Sequence, residues 1–486
     1  MRIHFFILMF AASSALAGTT FDTHFEDATL RVDYYRSGDA ETESISFDRA
    51  LRQGVWAGPK TRLLDPFPYG RSIVRVFDTK TGEELFSKGF DSYFGEYRTT
   101  ASAHEGRSRT FHESVLVPFP KHPVQVTIDV RGPETVQLAR WIIDPEDIGI
   151  ASEKAASALV FNHHVPAQPQ GCLDIAFLGE GYTSREVGVF MEDLERFADL
   201  MLDHEPYRSM KEAICIRGVV APSSDTGCDE PTRGHWNRTV LGASFNALGS
   251  ERYLLTEDNR VLRDIAANVP YDALIVMVNH ERYGGGGIYN LFCTFTARNR
   301  WSSYLVLHEF GHSFAGLADE YYTSSVAYED LHPFDSEPVA PNVTALLDPP
   351  GLKWRDLVEE TTPLPTPWRK KEYDRLDLAY QAEREQRNKA IGEASRRGDI
   401  AEAALLESAA ERLADEHGKR MKAFLGVSPM IGMVGAFEGA GYAANGLYRP
   451  TLDCLMFSRG IQPFCPVCRR AVAEMVQRYI DPPAAR

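Results

Sequence analysis

The segment Leu305-Val306-Leu307-His308-Glu309-Phe310-Gly311-His312-Ser313-Phe314-Ala315-Gly316-Leu317-Ala318-Asp319-Glu320-Tyr321 sets an apolar run before two histidines four residues apart. On a helix His308 and His312 lie on one face, one turn apart. That spacing lets both imidazoles reach one zinc ion. Glu309, beside the first histidine, can reach a water at the metal and serve as general base and acid. The chain has 14 histidines, and at that density roughly 0.03 accidental H-E-x-x-H matches are expected in a chain this long. The apolar residues ahead of His308 predict a buried helix that begins near Ser302 or Ser303, with one of these serines as its N-cap.

A catalytic zinc takes three protein ligands and keeps a fourth position for water. In an unbroken helix Asp319 would lie roughly 10 Å beyond His312, out of reach. The chain must therefore stop and fold back, and Gly316 is placed to end the helix in a left-handed conformation. This favours Asp319 as the third ligand, with Glu320 as the second choice. The one that does not ligate is expected to accept a hydrogen bond from a histidine N–H. A metzincin usually places its third ligand ten residues after its first histidine. Here that position is Ala318, one short of Asp319. Downstream, Tyr448-Arg449-Pro450-Thr451-Leu452-Asp453-Cys454-Leu455-Met456 predicts a tight turn in which Met456 forms an apolar floor beneath the ligands.

Working outward, residues 288–296 predict a strand at the edge of the cleft. Ile288, Tyr289, Asn290 and Leu291 would offer their backbone to an extended peptide. The preceding Gly284-Gly285-Gly286-Gly287 lacks the Lys-Ser/Thr ending of a phosphate loop and reads as a turn between strands. Further upstream, strands at 173–179, 213–220 and 273–279 alternate with helices at 184–203 and 255–268. That order predicts an α/β domain over 165–486. Residues 18–150 instead show period-two alternation, as in Ser72-Ile73-Val74-Arg75-Val76-Phe77, and predict an all-β sandwich with an accessory role. Residues 367–423 are dense in Glu, Lys, Arg, Ala and Gln and predict a helical hairpin insertion. Its break is at Arg397-Gly398, and Asp399 with Glu402 forms a capping box for the second helix.

A length of 486 residues suits two or three domains. Apolar content of 44% with 25% charged residues excludes a disordered chain. Asp and Glu outnumber Lys and Arg by 68 to 52, so no basic face for a nucleic-acid partner is expected. Arg2, the apolar run 5–12 and Ala15-Leu16-Ala17 predict a signal peptide over 1–17, hence export to the periplasm or the extracellular space. No later segment predicts a membrane span. Of the seven cysteines, Cys454, Cys465 and Cys468 lie close in sequence. A local disulfide is expected there rather than a zinc knuckle, because no fourth ligand is evident.

Several blocks together resemble the IgA-peptidase family of bacterial zinc metallopeptidases. They are His308 to Tyr321, Val434-Gly435-Ala436-Phe437-Glu438-Gly439-Ala440-Gly441-Tyr442, Tyr448 to Met456, Phe464-Cys465-Pro466-Val467-Cys468, Phe177-Leu178-Gly179-Glu180-Gly181-Tyr182-Thr183 and Asp225-Thr226-Gly227-Cys228-Asp229-Glu230-Pro231. The resemblance covers about 170–480, and the region before it resembles that family's N-terminal β-domain. It implies a metzincin-like α/β catalytic domain, zinc held by His308, His312 and Asp319, and Glu309 as catalytic acid/base. The resulting expectation is a secreted zinc endopeptidase with one catalytic zinc and a polypeptide substrate. Two other readings stand beside it: an exported binding or adhesion protein with a vestigial zinc site, against which the intact Glu309 argues, and a zinc amidase acting on cell-wall or small substrates.

Overall fold

The computed structural model describes residues 21–480 apart from 153–154, 168, 170 and 324–334. The expected signal segment 1–17 lies outside the described residues. The chain is a mixed α/β protein with a strand-rich N-terminal region. There, strands β1 (Phe25–Gly38), β2 (Glu43–Gln53), β3 (Ser72–Asp78), β4 (Glu84–Phe90), β5 (Arg109–Pro120), β6 (Val124–Val130) and β7 (Val136–Ile143) form two antiparallel sheets, in the orders β2-β1-β5 and β4-β3-β6-β7. Alternate side chains of both, such as Val32 and Val117 from one and Val76 and Val126 from the other, meet in one apolar cluster. The other face of β1 carries Arg31 and Asp33, both buried and paired at 2.6 Å. Arg31 also reaches Asp264 at 2.6 Å, which ties this region to the helix Asn259–Ala266.

The next strands are β8 (Leu159–His164), β9 (Leu173–Glu180), β10 (Ile214–Val220), β11 (Ala273–Val278), β12 (Gly285–Ile288) and β13 (Phe292–Thr296). They make a six-stranded sheet in the order β12-β13-β11-β9-β10-β8. β10, β9, β11 and β13 run parallel, and the outer strands β8 and β12 are antiparallel to their neighbours. Every residue of β9 is buried, as expected for a parallel strand covered on both faces. Phe177 points into a cluster shared with the helices Val187–Asp203 and Ser302–Ala315. Leu178 points the opposite way, toward Leu262 of the helix Asn259–Ala266. Two 27-residue helices, Lys370–Arg396 and Ile400–Gly426, are joined at 397–399, where the Asp399 side chain accepts from the Glu402 N–H at 3.0 Å. None of the described helices is long and apolar enough to cross a membrane.

Four expectations need correction. The strand anticipated at 288–296 is two strands, because Asn290 adopts a left-handed φ of 54° and turns the chain. Asn290 is fixed there by its N–H to the Ser313 carbonyl at 2.7 Å and by its side-chain amide to the Gly89 carbonyl at 2.7 Å. β13 is consequently paired on both sides, and the strand at the edge is β12. Of the four residues expected to face substrate, only Ile288 belongs to the edge strand, and its side chain is buried. Tyr289 is buried against Tyr69, and Leu291 packs on the cluster beneath the sheet.

The glycine run is likewise no turn. A Cβ on Gly285 would lie 2.8 Å from Glu309 Oε1, and one on Gly287 would lie 2.5 Å from the Glu309 carbonyl and 2.9 Å from His312 Cβ. Only glycine lets the edge strand rest directly on the histidine helix. That helix is preceded by Trp301, and neither Ser302 nor Ser303 caps it. Finally, all seven cysteines are buried, and Cys454, Cys465 and Cys468 form no disulfide with one another. Cys454 and Cys468 have their sulfurs 3.8 Å apart, well beyond the bond length of about 2.05 Å that a disulfide requires.

These contacts make opposite predictions for two glycines. Gly287→Ala should destabilise the protein by about 1–3 kcal/mol through overpacking against the helix. Gly418→Ala lies inside the exposed helix Ile400–Gly426 with nothing within 4 Å of the new methyl, and it should stabilise by about 0.5–1 kcal/mol. Denaturant unfolding of both variants checks the signs.

Candidate metal centre

The histidine helix Ser302–Ala315 is buried along most of its length and ends at Gly316, whose φ of +62° turns the chain back. The N–H of Gly316 donates to the His312 carbonyl at 3.1 Å, and that of Leu317 to the Gly311 carbonyl at 3.2 Å. Asn342 then pairs with both backbone groups of Ala318, accepting at 2.8 Å and donating at 2.9 Å. This returns Asp319 to the face that carries the histidines. Asp319 Oδ1 lies 3.1 Å from His308 Nε2 and 3.2 Å from His312 Nε2, and the two Nε2 atoms are 3.2 Å apart. Ligand bonds of about 2.0–2.1 Å at tetrahedral angles would put donor atoms about 3.3 Å apart.

The outer nitrogens of the rings settle what the inner ones present. His308 Nδ1 is 3.2 Å from the Leu455 carbonyl and 3.1 Å from the Tyr304 hydroxyl. His312 Nδ1 is 2.6 Å from the Leu317 carbonyl. A carbonyl only accepts, so each Nδ1 carries a proton, and the neutral ring turns its Nε2 lone pair inward. Asp319 Oδ1 is buried and has no hydrogen-bond partner. Three electron-pair donors facing one point fit a cation, and two imidazoles with one carboxylate suit zinc.

The other Asp319 oxygen accepts from the Tyr442 hydroxyl. Tyr442 is 3.3 Å from the Tyr321 hydroxyl, to which Arg252 donates at 3.4 Å. Burial opposes ionisation of Asp319, but the imidazoles of His312 and His308 hold its carboxyl well below the usual range. Glu309 lines an open cleft of about 290 Å³ together with Gly285, Gly286, Tyr283 and Tyr442. Burial pushes its carboxyl up, only partly offset by His308 and His312. Met456 is buried, its sulfur 3.1 Å from the place a side chain on Gly311 would occupy, between the two histidines.

Glu320 does not join this group. Consecutive side chains of an extended segment point to opposite sides, so Glu320 faces Asn342 and Cys468, at 3.1 Å from each. The histidine N–H groups are taken by the carbonyls of Leu317 and Leu455, so the expectation that Glu320 accepts from one of them fails. Several residues of the site carry no assignment in the sequence reading. Tyr304 was legible in principle, since it stands one helical turn before His308 on the same face. Tyr442, Asn342 and Arg252 come from distant segments with no local signature.

Metal and proton compete for His312. Burial disfavours its charged form, yet the Asp319 carboxylate outweighs this and holds the metal-free imidazole at about 9, against 6.5 ordinarily. A raised value means that the protonated pair stabilises the metal-free fold below pH 6.5 and that this contribution is lost as the pH rises to about 9. Chelator competition should therefore show zinc affinity climbing about tenfold per pH unit across that window and levelling above it. The melting temperature of metal-free protein should fall over the same range.

Residues 164–476 match the family described as IgA Peptidase M64, and residues 20–141 match the Peptidase M64 N-terminus. No curated protein matches the chain. With the larger match alone spanning well over half of the sequence, and with a donor set suited to a metal inside it, the chain belongs to the M64 family of IgA peptidases, a family of metallopeptidases.

Proposed function

We propose that the chain is an exported zinc-dependent endopeptidase that acts in the periplasm or outside the cell. On this reading residues 1–17 are a signal peptide, 18–150 an accessory β-sandwich and 165–486 a metzincin-like catalytic domain with a helical hairpin inserted at 367–423. The observation that carries the proposal is the meeting of His308, His312 and Asp319 at 3.1–3.2 Å, with Glu309 beside them on the cleft.

His308, His312 and Asp319 would hold one zinc, which supplies Lewis acidity toward the scissile carbonyl and lowers the pKa of water. Glu309 takes a proton from the attacking water on its carboxylate and returns it to the leaving amide nitrogen. Its burial suits that role, since it pushes the carboxyl up and so favours uptake of the water's proton. The Arg252–Tyr321–Tyr442 chain keeps Asp319 oriented. Met456 closes the floor, and the turn that carries it supplies the Leu455 carbonyl to His308. An extended substrate runs along the cleft that the β12 backbone and Glu309 line together.

Glu309→Gln preserves shape and removes the proton acceptor. Zinc should remain bound while peptide hydrolysis falls by at least roughly 10²-fold. Near-normal turnover by the zinc-loaded variant would overturn the mechanism. Turnover of muropeptides without turnover of peptides would replace the endopeptidase with an amidase.

A further inference from the structure

Beneath the site just described lies a second group of metal-ligating side chains that the proposed reaction does not use. Glu320, Cys454, Cys465 and Cys468 are all buried, and one ligand atom from each falls within 4.8 Å of the others. They come from three segments: the turn that delivers Asp319, the turn that carries Met456, and the start of the C-terminal helix Pro466–Tyr479. We infer that these four residues form a second, closed zinc site of the structural kind, with three thiolates and one carboxylate.

Three observations carry this inference. The first is spacing. Cys454 Sγ and Cys468 Sγ are 3.8 Å apart. That is far too long for a disulfide, but it matches the edge of a tetrahedron with zinc–sulfur bonds of about 2.3 Å, which is about 3.8 Å. The second is the carboxylate. Glu320 is completely buried, its Oε2 has no hydrogen-bond partner, and the Arg449 guanidinium acts on it only from beyond ion-pair distance. A buried carboxylate in that state is strongly disfavoured unless a cation meets it.

The third observation is how the sulfurs are prepared. Cys465 is the N-cap of the C-terminal helix and Cys468 lies in its first turn, so both stand at the positive end of the helix dipole. Backbone N–H groups point at two of the sulfurs, from Cys465 to Cys454 Sγ at 3.3 Å and from Cys468 to Cys465 Sγ at 3.4 Å. Such donors favour thiolates, the form that binds metal. The C-x-x-C spacing of Cys465 and Cys468 is that of zinc knuckles.

The site has a physical purpose. The N–H of Glu320 also donates to the Met456 carbonyl at 2.9 Å. An ion bound by Glu320 and Cys454 would therefore cross-link the segment holding Asp319 to the segment beneath the histidines.

Metal analysis and zinc K-edge X-ray absorption on the purified, unmutated full-length chain test this directly. About two zinc ions per chain are expected, with part of the scattering from sulfur at about 2.3 Å. His308, His312 and Asp319 contain no sulfur, so this signal belongs to the second site alone. One zinc with sulfur scattering would support the second site and count against the catalytic reading. One zinc with only nitrogen and oxygen neighbours would overturn the second site and leave the catalytic reading intact. A disulfide among the three cysteines, found by mass spectrometry of the unreduced protein, would also overturn it. Glu320→Gln keeps the side chain's shape and should release the sulfur-bound zinc to a chelator at least tenfold more readily than wild type. Unchanged retention would remove Glu320 from the ligand set.

Discussion

The Nε2 atoms of His308 and His312 and the Oδ1 atom of Asp319 converge to 3.1–3.2 Å, and with neutral rings their lone pairs face one another. Without a cation between them, such an arrangement is held together only against its own electrostatics. The surrounding structure supplies that restraint. An apolar cluster immobilises the histidine helix, Gly316 reverses the chain, and Asn342 grips the backbone of Ala318. Two backbone carbonyls fix the rotation of the rings. Each restraint acts on geometry rather than on charge, so the pocket keeps its shape whichever of proton or metal occupies the centre.

The glycine strand shows how closely the cleft wall and the histidine helix are fitted. β12 is the outermost strand of the sheet, and its glycines let it approach the helix to a distance no side chain would permit. The turn that follows is held from outside by the N-terminal region. The Asp91 N–H donates to the Tyr289 carbonyl at 2.9 Å, Asn290 reaches the Gly89 carbonyl, and Tyr289 packs on Tyr69. The N-terminal sheets thus help to set the position of the cleft wall, and a role as a passive appendage does not account for these contacts. Arg478 of the C-terminal helix adds to this joint by donating to the carbonyls of Leu64 and Ser87.

Asp319 and Glu320 divide two kinds of chemistry between adjacent residues. The alternation of an extended chain sends one carboxylate to the histidines and the other to the cysteines. A local change at either position would therefore be felt on both sides of the same short segment.

The amino-acid sequence by itself determined what depends on neighbours along the chain. The H-E-x-x-H spacing, the stop at Gly316 and the need to fold Asp319 back follow from helical period and from glycine's freedom at positive φ. The strands 72–78, 124–130 and 173–180 follow from alternation or from unbroken apolar character. Tertiary structure decided the rest. The glycine run becomes an edge strand only because the histidine helix lies against it, and residues 288–296 divide at Asn290 because partners from Gly89 and Ser313 hold that turn. Glu320 is the second choice after Asp319 in the sequence, and only the folded chain brings the cysteines of two distant segments to its side. Tyr442 meets Asp319 across 123 residues. These outcomes rest on contacts between remote segments, and side-chain period, which has a reach of only a few residues, carries no record of them.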